Sequence, residues 1–193
     1  MKKSAVTLIF LFTQLIAFGQ NELLKDVDHD GIIDTVYVDS TKYTIVCKLS
    51  TKNYNPISSK PIEILNLMSG VVGTKNGFEF FNDWMRAGYK NQFRYNTKTK
   101  KIQLIGMSRY EFGNAVNDGS GESSVNLLTG DYIGNWNYYD EDKDKLTKIP
   151  TIKAKMKFSS INLEDFGEEI YFGYSENCAE LFYKHKKIRM NRR

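Results

Sequence analysis

Apolar and polar residues alternate with a period of two along most of this chain, which restricts it to β-structure with one buried face per strand. The alternation predicts strands over 32–38, 43–49, 62–67, 78–81, 92–96, 102–107, 123–128, 132–139, 152–158 and 169–174. Turn-forming residues separate them at 39–41, 55–56, 76–77, 96–100, 118–119 and 129–130. Only 82–87, 161–166 and the stretch from 176 suit helical turns. The expected fold is all-β, an antiparallel meander arranged like a sandwich, with few short helical turns. The 41% hydrophobic content of the 193 residues is enough for a core, and two cysteines exclude a disulfide-built scaffold. With no internal repeat and no linker, residues 20–183 read as a single domain.

The first nineteen residues read differently. Lys2 and Lys3 precede a mostly apolar run, and Ala17 and Gly19 supply the small residues at −3 and −1 of a cleavage site. Residues 1–19 are therefore expected to be a signal peptide, and the mature chain periplasmic or secreted. The run is shorter than the roughly 20 residues of a spanning helix, and no transmembrane segment is expected in the mature chain. The formal charge of +4 is unevenly spread: residues 184–193 carry six bases and no acid, so 20–183 hold nineteen bases against twenty-three acids. The tail is expected to be a frayed, solvated basic end. Export permits a disulfide, and the separation of Cys47 from Cys178 leaves open whether their sulfurs meet. Cys47 shares a strand face with Tyr43, Ile45 and Leu49, as a buried thiol would.

The sharpest local feature is Asp26-Val27-Asp28-His29-Asp30-Gly31-Ile32-Ile33-Asp34. Calcium takes six to eight oxygen ligands, and a loop wrapped round one ion turns its first, third and fifth side chains inward. Gly31 permits the tight turn, a carbonyl from Ile32 can follow, and Asp34 falls at the ninth position. The expected metal ligands are Asp26, Asp28, Asp30, Ile32 and Asp34, and the expected cofactor is calcium. His29 lies between ligand positions, and imidazole suits softer metals. Tyr37 stands where an EF-hand has its bidentate Glu, so the loop is not an EF-hand. A second acidic run, 140–145, lacks the glycine and reads as a charged hairpin tip.

Sequence motifs for catalysis are absent, and no catalytic residue is assigned: there is no metalloprotease helix, nucleophile elbow, phosphate loop or Cys-x-x-Cys pair. His185 alone could serve Ser-His-acid chemistry. Two-carboxylate glycosidase chemistry needs only two acids facing a cleft, and Glu111 and Glu122 are the best pair. Tyr132, Trp136 and Tyr138 share one strand face, either as a sugar-stacking platform or as cross-strand packing. The basic and aromatic residues of 84–101 read as alternating strand faces, and no nucleic-acid partner is expected.

The acidic loop resembles the strand-linked calcium loops of FG-GAP, VCBS and thrombospondin type 3 repeats, which staple β elements together. Together with 93–96, 101–106 and 122–130, it is similar to a group of exported β-proteins of Gram-negative bacteria. That group in turn resembles periplasmic immunity proteins that bind calcium, adopt a β-propeller-like fold and inhibit lysozyme-like peptidoglycan hydrolases. The resemblance implies a non-enzymatic, calcium-stabilised β domain, arranged as an incomplete propeller at this chain length, that binds a macromolecular partner such as a secreted hydrolase. It supplies no inhibitory loop; 114–123 is chosen from this sequence alone as the first candidate contact. The alternatives are a carbohydrate-binding module or weak glycosidase acting on cell-envelope polysaccharide, and a structural envelope protein.

Overall fold

Alternation becomes pairing wherever a turn lets the chain reverse, and here nearly every strand pairs with its sequence neighbour. The computed structural model describes residues 22–191, so the expected signal peptide lies outside the described residues. It is mostly β, with two antiparallel sheets and one helix, sandwich-like and not a closed barrel. The propeller alternative is not realised.

The first sheet is the meander β1 (Leu23–Lys25), β2 (Asp34–Asp39), β3 (Thr44–Lys48) and β4 (Pro56–Ser58). The second runs from β5 (Ser69–Thr74) through β6 (Gly77–Asp83), β7 (Ala87–Asn96), β8 (Lys101–Glu111) and β9 (Gly121–Asn126) to β10 (Asp131–Asp140). Two short strands, β11 (Lys145–Lys148) and β12 (Ile152–Lys155), then pair with successive halves of β10. The acidic run at 140–145 forms the tip of the β10–β11 hairpin, as expected.

One irregularity decides what the sheet presents to the interior. Gln92 pairs with Gly106 but Phe93 pairs with Leu104, which leaves Ile105 as an extra residue. A bulge of this kind moves the strand's alternation by one position. Ile102 and Leu104 face inward before it; Met107 and Arg109 face inward after it.

The core joins Val36, Ile45 and Cys47 of the first sheet to Phe78, Phe80 and Phe93 of the second. Phe78 stacks on Phe93 at 5.2 Å, and Phe166 meets Phe93 edge-on. Burying each such aromatic contributes about 2–3 kcal/mol.

The helical turns expected from 176 are part of α1 (Glu168–Met190), a 23-residue helix whose reach is the largest correction to the sequence reading: it replaces the strand expected at 169–174 and runs on through the tail expected to be frayed. Ile170, Phe172 and Tyr174 alternate as a strand would, yet the residues buried are Tyr171, Tyr174, Cys178 and Phe182, at helical spacing. Acids in its first turn and Lys187 and Arg189 in its last suit the helix dipole. The helix crosses the inner face of the second sheet. Tyr171 stacks on Tyr89 at 3.8 Å, Tyr174 hydrogen-bonds Ser123 at 2.9 Å, and Phe182 packs on Trp136.

Residues 62–67 are also not a strand. The buried side chain of Asn82 accepts from the Asn66 amide and donates to the Ile64 carbonyl, so a side chain satisfies backbone that a ladder would otherwise pair. The helical turn expected at 82–87 is instead the tight reversal from β6 to β7, closed by Trp84 N–H on the Ala87 carbonyl.

Candidate metal centre

The loop between β1 and β2 is built by its own carboxylates. Asp26 accepts from the amides of His29 at 2.7 Å and Gly31 at 3.1 Å. His29 and Gly31 both take left-handed backbone, with φ of 66° and 88°. At Gly31 a Cβ would meet no steric obstacle, so the glycine is there for conformation alone. Asp34 opens β2 fully buried; one oxygen accepts from the Val27 and Asp28 amides and the other from the Ser50 amide.

A second segment closes over this loop: the 3-10 turn Ser50–Lys52 that follows β3. Ser50 O–H donates to Asp30 at 2.6 Å and Thr51 O–H donates to Asp28 Oδ2. The Ser50 hydroxyl, and after it the Ile32 amide, hold the Asp30 carboxyl below the usual carboxylate range. The second sheet reaches the site through Tyr95 of β7, whose phenol is pushed up by burial and then by the charge of Asp28, with the Thr51 hydroxyl beside it. Beneath lies Cys47, its thiol raised by burial and further by Asp34 and Asp28.

Asp26, Asp28 and Asp34 each offer an oxygen within 4.8 Å of the others. Asp28 is only 7% exposed, and its Oδ1 is buried with no hydrogen-bond partner. Among the described residues no Lys or Arg forms an ion pair with any of the four loop acids. A buried carboxylate oxygen left bare costs about 1–3 kcal/mol or more, and a cation removes that cost. The donor set is all carboxylate oxygen, and this acidic cluster can hold a hard metal ion.

Two expected ligands stand outside the triad. Asp30 is exposed and its oxygens are engaged by the Ile32 amide and the Ser50 hydroxyl. Ile32 would contribute a backbone carbonyl, which is no part of this side-chain triad, and its side chain is exposed. The serine and threonine of the 3-10 turn escaped the sequence reading, because nothing local joins Ser50-Thr51 to a loop some twenty residues earlier.

The other candidate sites are rearranged by the sheet. Tyr110 pairs with Glu122 and Glu111 with Gly121, so Glu111 and Glu122 point to opposite faces and cannot flank one cleft. Tyr132, Trp136 and Tyr138 are each no more than 2% exposed and lie under α1, so they form no sugar-stacking platform. Cys47 and Cys178 are both buried free thiols. Lys186, within the expected loose tail, instead pairs with Asp118 at 2.9 Å. His185 lies in α1 beside Ile149 and Pro150.

No family model, no curated protein and no solved structure matches the chain.

Proposed function

We propose that this chain is an exported, calcium-stabilised β domain that acts by binding a macromolecular partner and not by catalysis. The observation that carries the metal is Asp28 Oδ1, a buried carboxylate oxygen without a partner beside two further carboxylates. Calcium is favoured over magnesium because the loop supplies several carboxylates from one turn, whereas magnesium demands near-ideal octahedral geometry and keeps several waters. Asp26, Asp28 and Asp34 hold the ion, and Asp30 and the Ile32 carbonyl are the next donors in the loop. The ion supplies charge neutralisation. The protein's own part is to join β1–β2, the Ser50–Lys52 turn and Tyr95 around one point.

A clamped scaffold loses less entropy on docking, which supports a binding role. Loop 114–123 is held in that manner. The Asn114 side chain accepts from the Val116 and Asp118 amides, while Asp118 accepts from the Tyr139 amide and Lys186. A secreted peptidoglycan hydrolase is the partner to test first.

Calcium should raise the thermal midpoint of the parent by about 3–6 °C at tenfold over its dissociation constant, and leave Asp28→Ala unmoved. Equal response of parent and variant would sink the metal assignment. Failure of the calcium-loaded protein to inhibit any of several muramidases would remove the hydrolase while leaving the metal standing.

A further inference from the structure

The hairpin between β5 and β6 turns on the two residues Lys75 and Asn76, and β6 opens at Gly77. An exposed asparagine therefore stands directly before a glycine. Asn76-Gly77 is the one such pair in the 193 residues. With no Cβ, glycine leaves its amide nitrogen unshielded beside the preceding carboxamide.

Packing keeps that glycine in place. A Cβ at Gly77 would lie 2.1 Å from the Phe93 carbonyl oxygen and 3.1 Å from Arg94 Cα. The carboxamide, by contrast, is free. The side chains of Asn66, Asn96, Asn114 and Asn126 are pinned, each accepting from the backbone amide two residues on. Asn76 forms no such bond among the described residues. β5 is also the last strand of its sheet, so opening the hairpin breaks one ladder only, the one to β6.

We propose that Asn76 is a self-modification site, whose carboxamide is lost by cyclisation onto the Gly77 nitrogen. That nitrogen gives up its proton and bonds to Asn76 Cγ. The Cγ–Nδ2 bond breaks, and Nδ2 leaves with the proton as ammonia. Water then opens the cyclic imide. Cleavage at Cγ gives aspartate; cleavage at the main-chain carbonyl carbon gives isoaspartate. Either product adds a negative charge, and isoaspartate also adds a methylene to the main chain. A two-residue turn has no slack for that atom. The carbonyl of Thr74, which enters the turn, accepts from Lys25 Nζ at 2.6 Å. The lengthened turn therefore loosens the tie between β5 and β1.

The test is to hold the purified protein in mildly alkaline buffer and follow it by isoelectric focusing and peptide mapping. An acidic species should accumulate, with ammonia released in equal amount and isoaspartate mapped to position 76. Higher pH should speed it, because the attacking amide must lose its proton. Asn76→Gln, which has to close a larger ring, should stay unmodified over the same period. Asn76→Asp carries the charge without the extra atom and should keep the parent's hydrogen-exchange protection in β5. The isoaspartate form should lose that protection by at least about tenfold. No acidic species, modification at a different asparagine, or equal modification of Asn76→Gln would each overturn the site. Full β5 protection in the isoaspartate form would overturn the loosening.

Discussion

The backbone amide of Ser50 donates to Asp34 Oδ1 at 2.8 Å, while Asp34 Oδ2 accepts from Val27 and Asp28. One buried carboxylate thus ties the start of β2, the acidic loop and the turn after β3. Asp34→Ala strips acceptors from three amides in the interior, and is expected to cost about 2–4 kcal/mol in urea denaturation even without calcium. A loss under 1 kcal/mol would mean that these bonds do not organise the loop.

Asp30 has the opposite character. It is exposed, and its carboxyl is held low by Ser50 and Ile32. A lowered folded pKa contributes stability above the unfolded value, near 3.8, that is lost as pH falls through the folded one. Asp30→Ala should therefore be less stable than the parent at pH 7, and the gap should close in strong acid. Thermal melts from pH 7 to pH 2 would read this. A calcium affinity lost as completely as in Asp28→Ala would make Asp30 an obligatory ligand.

Glu168 behaves in reverse. Burial raises its carboxyl above the usual 4.5, although the Ile64 amide donates to it. A raised acid destabilises the fold while ionised, and that cost fades as pH falls from the folded pKa toward the unfolded one. Glu168→Gln should melt higher than the parent at pH 7, with the advantage gone below about pH 4. A variant that melts lower at pH 7 would show that the hydrogen bond outweighs the burial.

Gly121 begins β9 at φ 148°, and a Cβ there would lie 2.1 Å from the Asn135 carbonyl oxygen. The obstacle is the paired backbone of Asn135 and Trp136 together with the buried Trp136 ring, none of which is the free end of a flexible side chain. Gly121→Ala is expected to cost about 3 kcal/mol or more, measured by chemical denaturation. Gly119→Ala, where a Cβ meets nothing, suffers only the strain of its positive φ and should cost less.

Both cysteines are buried free thiols, with Cys47 pushed up by burial and by Asp34 and Asp28. A thiol reagent should therefore label neither in the native protein and both after unfolding. Reductant should leave the thermal midpoint unchanged. A reductant-sensitive midpoint would reveal a disulfide.

The sequence by itself determined the β-class, most strand positions and the acidic loop, because a period of two and a run of alternating acids are local patterns that need no partner to be legible. Even the buried thiol at Cys47 followed from its strand face. Tertiary structure decided the rest. Residues 169–174 carry a strand period at the head of a segment already expected to turn helical from 176, and the Tyr89, Ser123 and Trp136 surface beneath them takes the helix. The bulge at Ile105 is one extra residue with no mark in the sequence, yet it turns Arg109 inward. Strand register likewise sent Glu111 and Glu122 to opposite faces. Ser50 and Thr51 joined the acidic loop because β2 and β3 pair. Such outcomes depend on contacts between segments far apart in the chain, and local alternation carries no information about them.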